Sequence, residues 1–375
     1  MSKWVLQKAA EFCASVRDGT HDSPKSVEGG GKPLVTSKVV KQGVVRVEDA
    51  YLISEKDYRK INERSKVDRW DILMTMIGTV GECAIVKDDP DYAIKNIALF
   101  KMAGDEEKSK WLYYYLTSPT GQGALRGNFR GSSQQYISLD QLRNLEVPVP
   151  EKDVRSRIVA ILSDYDSAID NARRQIALLE EAAMRLYREW FGDGRQEKVL
   201  LVDVASVTYG FPFVGKLFND KGLGLPIIRI RNVPEGLSKD FTTEKAPDRY
   251  IVKDGDILIG MDGEFYVNFW SGGDAYLVQR TCRLRPNDAH MFGFVLEAIK
   301  GPIRAFQSAI VGSTVGHLGK KDIDTITIPI PNDKKIVDLL QDGFEQRLTL
   351  MKQICSLTEA RDRLLPKLMS GEIEV

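Results

Sequence analysis

An internal repeat constrains the fold of this chain more than any other feature of its sequence. Segment 131–150 carries Gly-Ser-Ser and ends in Val-Pro-Val-Pro, and it matches segment 312–331, which carries Gly-Ser-Thr and ends in Ile-Pro-Ile-Pro. The two segments are 181 residues apart (131 to 312) and align without a gap. Aromatic segments beginning at Trp111 and Phe292 share that offset, and Asp-Ile-Leu occurs near 71 and again near 256. The chain is therefore predicted to contain two copies of one structural unit.

Each copy has the same order of parts. A stretch of β-branched residues, glycines and turn residues comes first, which predicts a strand-rich domain. It ends in a Pro-x-Pro element, which cannot continue a ladder or a helix, and a long helical pattern follows. We predict an α+β protein with a first strand-rich domain at 1–150, a central long helix at 151–192, a second strand-rich domain at 193–331 and a C-terminal long helix at 332–375.

The first helical segment has apolar residues that alternate in steps of four and three over more than four heptads. This spacing predicts a coiled coil, which Gly192-Asp193-Gly194 should end. The second segment is less regular because Gly343 and Arg361 interrupt it, and Pro366 is expected to kink or fray its last turn before Gly371 ends it. The predicted interface residues are Ile158, Leu162, Tyr165, Ile169, Ile176, Leu179, Leu186 and Trp190 in the first helix and Leu340, Leu350, Ile354, Leu357 and Leu364 in the second.

Two long helices with apolar stripes most simply cover each other. Because each helix leaves one strand-rich domain, an antiparallel pair would place the two domains at opposite ends of a rod. A helix of some 40 residues is roughly 60 Å long at 1.5 Å per residue. The alternative is that each helix packs independently on its own domain.

Composition excludes several classes of protein. With 43% hydrophobic residues the chain is not disordered, and no apolar stretch approaches the roughly 20 residues of a membrane helix. The N-terminus lacks the apolar core of a signal peptide, which predicts a cytoplasmic protein with no membrane partner. The four cysteines are far apart in sequence and form no metal-binding pair or disulfide framework. The 53 basic and 53 acidic side chains argue against a non-specific nucleic-acid coat, although a local basic groove remains compatible with them.

No motif in the sequence predicts catalysis or a metal site. Residues 210–216 fit the start of a phosphate-binding loop, but Leu217 replaces the Ser or Thr that would bind Mg²⁺. The carboxylates and lysines of 90–108 resemble a nuclease pattern only loosely, and the second copy has no equivalent. The three histidines are scattered and have no carboxylates at ligand spacing.

Basic and amide side chains do recur near turns and aromatic residues in both copies. Arg and Lys can bind guanine O6 and N7, and Asn and Gln can bind adenine N6 and N7, so the set favours DNA binding. Its members are Ser37, Lys38, Lys41, Lys95, Asn96, Arg126, Arg130, Gln134 and Gln135 in the first copy, and Tyr209, Lys216, Arg229, Arg231, Asn232, Gln279, Arg280, His317 and Lys320 in the second.

Over essentially its whole length the chain resembles the specificity subunit of type I restriction-modification systems. The resemblance is carried by the ordered, duplicated set of motifs, of which single pieces are weak. The motifs are Asp-Gly-Thr-His-Asp-Ser-Pro-Lys at 18–25, Thr-Ser-Lys at 36–38, 53–58, Asp-Ile-Leu at 71–73 with 77–81, Ala-Ile-Lys-Asn at 93–96, Tyr-Gly-Phe-Pro-Phe at 209–213, 227–232, 256–263, Gln-Arg at 279–280, both Pro-x-Pro-plus-helix segments and the tail 365–373.

The resemblance implies that each strand-rich domain recognises one half of a split, asymmetric double-stranded DNA target. It implies an antiparallel coiled coil that sets the half-site spacing and docks two copies of the DNA methyltransferase subunit. A motor-nuclease subunit can join that core. The chain would not be catalytic: S-adenosylmethionine, ATP and Mg²⁺ are expected on the partner subunits. The matching loops add Thr20, His21, Lys25, Ser133, Phe211 and Asp262 to the expected DNA contacts.

Two other classes of function stay open at this point. A non-catalytic scaffold would use the two modules to bind proteins alone, and the balanced charge is compatible with it. A self-contained nuclease or ATPase would need one of the weak motifs above to work, so the purified chain would cleave DNA or hydrolyse ATP without partners.

Overall fold

The computed structural model describes residues 4–41, 43–130, 135–309 and 316–375. The chain divides into two compact units, unit 1 with residues 1–167 and 358–375, and unit 2 with residues 168–357. The glycine-serine ends of the repeat, at 131–134 and 310–315, lie outside the described residues. Within the described part of the chain, we find no helix with the length and hydropathy of a membrane span.

Unit 1 contains four groups of strands, one of which is the short antiparallel pair of β4 and β5. A four-stranded antiparallel sheet has the order β2-β10-β7-β8, a three-stranded sheet has the order β6-β3-β9, and β1 pairs with β11 near the start of the long helix. The strands are β1 Val5–Lys8, β2 Ser15–Asp18, β3 Lys32–Val35, β4 Val40–Lys41, β5 Val44–Val45, β6 Tyr51–Ile53, β7 Ile72–Thr75, β8 Cys83–Ile85, β9 Ala93–Ile94, β10 Ile97–Lys101 and β11 Glu146–Val149.

Helices cover the four-stranded sheet of unit 1. Trp111 and Phe100 are fully buried in one apolar cluster, because the aromatic segment forms a helix that lies on this sheet and contacts β8. The helices are α1 Ala9–Phe12, α2 Glu55–Ser65, α3 Glu106–Thr117, α4 Pro119–Arg126, α5 Leu139–Arg143 and the long α6 Lys152–Phe191, whose second part belongs to unit 2.

Unit 2 repeats this plan. Its four-stranded sheet has the order β13-β21-β18-β19, β12 pairs with β22, and a five-stranded sheet has the order β14-β16-β15-β20-β17. The elements are β12 Lys198–Leu200, α7 Leu201–Val204, β13 Ala205–Tyr209, β14 Phe218–Asn219, β15 Leu225–Ile228, β16 Phe241–Thr242, β17 Ile251–Val252, β18 Ile257–Gly260, β19 Val267–Phe269, β20 Ala275–Leu277, β21 Thr281–Pro286, α8 Phe292–Ala309, α9 Lys320–Asp324, β22 Thr327–Pro329 and α10 Lys334–Ser370.

The equivalent sheet orders confirm the duplicated α+β fold. In each four-stranded sheet the strand that comes first in sequence, β2 or β13, pairs with the strand that comes last, β10 or β21. The last strand also pairs with the strand that starts in the Asp-Ile-Leu motif, which is β7 or β18. The isoleucine and leucine of both motifs are fully buried because these strands lie in the middle of their sheets. The aromatic segments likewise form equivalent helices, α3 and α8.

The aspartate of each Asp-Ile-Leu motif is a buried structural carboxylate. Asp71 accepts a hydrogen bond from the Met102 amide at 3.0 Å and forms an ion pair with Lys101 at 2.5 Å. Burial raises the pKa of Asp71, and its bonds to Lys101 oppose that rise. Asp256 accepts two hydrogen bonds from Arg285, at 2.7 and 2.6 Å. The motif therefore fastens the start of one central strand to its neighbouring strand in each unit.

We expect Asp256→Ala to lower the stability of unit 2 strongly. Removing one partner of a buried ion pair costs roughly 3–5 kcal/mol. Because Arg285 retains some solvent contact, the lower end of that range applies, and a domain of this size would lose roughly 6–12 °C in its thermal midpoint. Thermal unfolding monitored by circular dichroism measures the change. Asp274→Ala, at an exposed aspartate, is the matched control, and an equal midpoint for both variants would contradict the structural role.

The two long helices pack against each other within unit 1. Ile158 and Leu162 of α6 are buried in the same apolar cluster as Leu365 and Leu368 of α10. Arg361, which interrupts the apolar stripe of α10, bonds to Asp166 of α6 at 2.7 Å. This interruption is therefore a polar contact that helps to set the register of the two helices.

The same helices also pack antiparallel within unit 2. Ile169 and Ala172 of α6 are buried against Ile354 of α10, and further along α6 Glu180 lies 3.6 Å from Arg347. The residue numbers rise along one helix as they fall along the other. This confirms the predicted antiparallel pairing and contradicts the alternative of two helices packed independently.

Most predicted interface residues face the partner helix or the adjoining core. Ile176, Leu350 and Leu357 flank the Ile169 cluster, Leu340 is buried, Leu186 packs on the core of unit 2 and Leu364 on that of unit 1. Tyr165 and Leu179 are half-buried.

Two details of the predicted helices are wrong. Trp190 is 44% exposed and is not part of the stripe; instead Phe191 and Tyr187 pack against Phe294 of α8. At this end of α6, Phe191 rather than Trp190 is the buried residue, and it packs on the core of unit 2 together with Leu186 and Tyr187. The expected fraying at Pro366 is also wrong, because α10 continues to Ser370 and its last turn is buried in the core of unit 1.

Candidate nucleic-acid interface

A glycine at the end of the first sheet strand starts the same loop in each unit. Gly19 follows β2 and donates to the Ile97 carbonyl at 2.9 Å, and Gly210 follows β13 and donates to the Thr281 carbonyl at 3.0 Å. A Cβ atom at Gly19 or Gly210 would lie 2.3 or 2.0 Å from a neighbouring carbonyl oxygen. Only glycine allows this close approach of two backbones. The loop after each glycine therefore lies beside the turn that precedes β10 or β21.

In unit 1 this arrangement brings together four of the predicted DNA contacts. Thr20 pairs with Lys95 in a parallel bridge, and Nδ1 of His21 lies 2.8 Å from Oδ1 of Asn96. Lys95 donates to Ser23 at 2.5 Å. All four side chains thus belong to one polar surface formed by two loops.

Two residues that we did not predict hold this surface in place. Asp18 is buried, lies 2.9 Å from Nε2 of His21 and bonds to Arg64 of α2. Asp18 precedes Gly19 in the motif, which is a signal that could have identified it. Arg64 had no such signal, because 46 residues separate it from Asp18 and its contact depends on the fold.

In unit 2 the equivalent surface contains three predicted DNA contacts in mutual contact. Asp262 pairs with His317 across a backbone bridge, and their side chains lie 2.5 Å apart. Nε of Arg280 lies 3.4 Å from Oδ2 of Asp262, and a terminal nitrogen of Arg280 lies 3.4 Å from Nδ1 of His317. Gln279 precedes Arg280 and donates its amide hydrogen to the carbonyl of Phe211.

In the turn after β15, the predicted DNA contacts Arg229, Arg231 and Asn232 interact with other residues of unit 2. Arg231 binds both carboxylate oxygens of Asp240, which raises the pKa of Arg231. The side-chain oxygen of Asn232 accepts from the backbone amide of Arg229, and Arg229 lies over the ring of Phe218. Arg231 remains exposed, and its contact with Asp240 fixes its position beside the five-stranded sheet.

The predicted contact Tyr209 is half-buried at the end of β13. Its side chain packs against the core of unit 2, and its buried hydroxyl has no hydrogen-bond partner among the described residues. Burial raises the pKa of Tyr209. As the last residue of β13, Tyr209 directs its ring into the sheet packing. Phe211, two residues later, packs on Phe213 and Tyr250 and is half-buried.

The other predicted contacts lie apart from these two clusters. Arg130 pairs through its backbone with Tyr136, and Ser37 is half-buried in the turn after β3. The exposed members are Lys25, Lys38, Lys41, Arg126, Gln135, Lys216 and Lys320. Ser133 and Gln134 lie outside the described residues.

The chemistry of both surfaces is that of hydrogen-bonding recognition. Each presents cationic, amide or imidazole groups on loops that the sheets hold rigidly, which suits base edges and phosphates. Across the described residues, we find no group of three or more His, Cys, Asp or Glu side chains placed to bind a metal ion.

Comparison with known proteins gives matches in both units. Residues 1–181 and 196–358 match the family model for the type I restriction modification DNA specificity domain. The chain is 24% identical over 416 residues to the type I restriction enzyme MjaIX specificity subunit of Methanocaldococcus jannaschii, covering 99% of this chain and 94% of that protein. It is 30% identical over 175 residues to the type I restriction enzyme EcoBI specificity subunit of Escherichia coli, covering 46% of this chain and 35% of that protein.

A solved structure shares the fold. The crystal structure of a type I restriction-modification system S subunit from M. genitalium aligns with a TM-score of 0.56 at 16% sequence identity. The alignment covers 98% of this chain and 96% of that chain. The likeness therefore extends over both units and both long helices.

Proposed function

The chain belongs to the type I restriction modification DNA specificity family, and on that premise we propose that it is the subunit that selects the DNA target of a type I methyltransferase complex. Each unit recognises one half of a split, asymmetric sequence in double-stranded DNA. The observation that carries this proposal is the duplication: each unit matches the same family model and presents a polar loop surface at the same edge of the same sheet.

With two recognition units in one chain, the free energies by which each unit discriminates against a wrong half-site add together. Each wrong base pair costs about 1–3 kcal/mol at well-separated positions, so two short half-sites together discriminate far better than either alone. The surfaces differ in chemistry, with His21, Lys95 and Asn96 in unit 1 and Asp262, Arg280 and His317 in unit 2. The difference supports recognition of two unlike half-sites.

The long helices would supply the spacing and the docking surface for partners. Helix α6 runs without interruption for 40 residues from unit 1 into unit 2, and α10 packs on it in both. We propose that this pair docks two methyltransferase subunits, and that a motor-nuclease subunit can join them. S-adenosylmethionine, ATP and Mg²⁺ would bind to those partners, and this chain would act in the cytoplasm without catalysing a reaction itself.

The test is to map methylated adenines across the genome of cells with and without this chain, and to purify the chain with its methyltransferase. We expect one split, asymmetric motif to lose methylation when the chain is deleted. If the chain purifies with the methyltransferase but methylation is unchanged in cells that lack the chain, the chain is a protein scaffold. Cleavage of DNA or hydrolysis of ATP by the purified chain alone would contradict the non-catalytic role.

A further inference from the structure

Arg280 has an unusual backbone conformation for its residue type. Its φ is +71°, in the left-handed region that residues other than glycine rarely adopt. The backbone holds this conformation, because the Arg280 carbonyl accepts a hydrogen bond from Met261 at 2.9 Å and β21 begins at the next residue. The side chain is nevertheless 56% exposed. Strain of this kind persists where the surrounding structure over-determines it, and it often marks a functional residue.

Two neighbouring side chains restrict the guanidinium of Arg280. Asp262, which is 29% exposed, lies on the Nε side, and His317 contacts one terminal nitrogen. His317 also lies against the other oxygen of Asp262. Arginine has five N–H groups in a planar fork, so the contacts with Asp262 and His317 leave at least one hydrogen on each terminal nitrogen with no partner among the described residues.

The neighbours of Arg280 make it better suited to a base than to a phosphate. The carboxylate of Asp262 offsets the positive charge of the guanidinium and repels a phosphate brought to the same place. Hydrogen bonding by the terminal nitrogens is unaffected. Guanine is the base that presents two acceptors, O6 and N7, side by side in the major groove, whereas adenine presents one acceptor and one donor.

On the basis of the proposed function, we propose that unit 2 recognises a guanine in the major groove through the terminal nitrogens of Arg280, with Asp262 and His317 as positioning residues. Unit 1 does not share this device. The backbone bridge equivalent to Asp262–His317 joins Ile77 to Tyr136, and the residue that precedes its β10 with positive φ is Asn96. The proposed guanine therefore belongs to the half-site of unit 2 alone.

The test uses the purified complex with its methyltransferase and the DNA target found by methylation mapping. Each guanine is replaced in turn by 7-deazaguanine, which lacks N7, and by inosine, which keeps O6 and N7 but lacks the minor-groove amino group. We expect one guanine at which 7-deazaguanine weakens binding roughly 5- to 150-fold, because one of the two acceptors of the bidentate contact is lost and a guanidinium N–H is left unpaired, while inosine has little effect.

Variants of the chain test whether Arg280 is the residue that contacts that guanine. Arg280→Ala should weaken binding and remove the sensitivity to 7-deazaguanine. Arg280→Lys should weaken binding and reduce the sensitivity less completely, because lysine keeps the charge and can still reach N7 but lacks the planar fork. Asp262→Asn should reduce the sensitivity without abolishing binding, which a merely structural role would not do. Arg304→Ala removes the same charge from an exposed position on α8 and should leave the sensitivity unchanged.

Three results would separate the possible failures. If the split target exists but no guanine in it is sensitive to 7-deazaguanine, the proposed role of Arg280 is wrong and the proposed function stands. If Arg280→Lys binds like the unmodified protein while Arg280→Ala binds all DNA more weakly, Arg280 is a phosphate contact and the proposed base recognition is wrong. If the complex shows no sequence-selective binding, the proposed function itself fails.

Discussion

Deleting one heptad from each long helix should abolish methylation of the native target while both units stay folded. The matched deletion removes residues 173–179 from α6 and 348–354 from α10, which keeps Glu180 and Arg347 in the chain. Seven residues shorten a helix by about 10 Å, which corresponds to about three base pairs of DNA. Because seven residues are close to two helical turns, the apolar stripes shift by only about 20° and can still pair.

The expected loss is large because one half-site would be out of reach. Losing the specific contacts of even two base pairs costs about 2–6 kcal/mol, so methylation of the native sequence should fall at least about 30-fold. Methylation in vitro on DNA with native and shortened spacers measures the effect, and the new optimum should have a spacer about three base pairs shorter.

Thermal unfolding and co-purification with the methyltransferase serve as controls for this deletion. They establish that the shortened helices still pair and that the partner still docks, so that lost methylation reports on spacing. Full methylation of the original target by the deletion variant would show that the helices do not set the spacing.

The repeat, both long helices and their ends followed from the sequence. Heptad spacing identifies a helix pair because the apolar stripe has one direction over many turns. Gly371 has positive φ directly after α10 ends, as glycine at that position predicts, and Gly194, three residues after the end of α6, also has positive φ. Trp190 was misassigned because the heptad pattern does not show where a helix changes partners, and α8, which takes over at that end, is more than 100 residues away in sequence.

The clusters within the candidate site could not be assembled from the sequence. Asp262, Arg280 and His317 were each expected to contact DNA, but nothing in a span of 55 residues showed that they contact one another. Positive φ at Asn96 and Arg280 follows from the turn that enters β10 or β21, which only the folded sheet defines. The sequence did not show that the ring of Tyr209 packs on the core of unit 2, because the motif around Gly210 marks where the strand ends but not which way the preceding side chain points.

Gly210→Ala should destroy recognition by unit 2, because the added methyl group has no room. Its Cβ would lie 2.0 Å from the Val278 carbonyl oxygen and 2.7 Å from the Gln279 amide nitrogen, and both are backbone atoms that cannot move aside cheaply. The strand end and the turn that carries Arg280 would have to separate. We expect a loss of several kcal/mol in the stability of unit 2 and at least a 100-fold loss of methylation, both large for one methyl group.

Gly343→Ala tests whether this loss is specific to the crowded position of Gly210 or follows from replacing any glycine with alanine. Gly343 lies inside α10 with nothing within 4 Å of an added Cβ, so alanine there should raise stability by about 0.5–1 kcal/mol and leave methylation unchanged. Thermal unfolding and methylation in vitro, measured on both variants, distinguish the two substitutions. If the complex with the Gly210→Ala chain methylates the target as fast as the wild-type complex, the close approach of the two backbones at Gly210 is not required for recognition. Because Gly19 makes the same approach to Ile94 in unit 1, Gly19→Ala should then also be tolerated, and the recognition loops would have to be held by other contacts in both units.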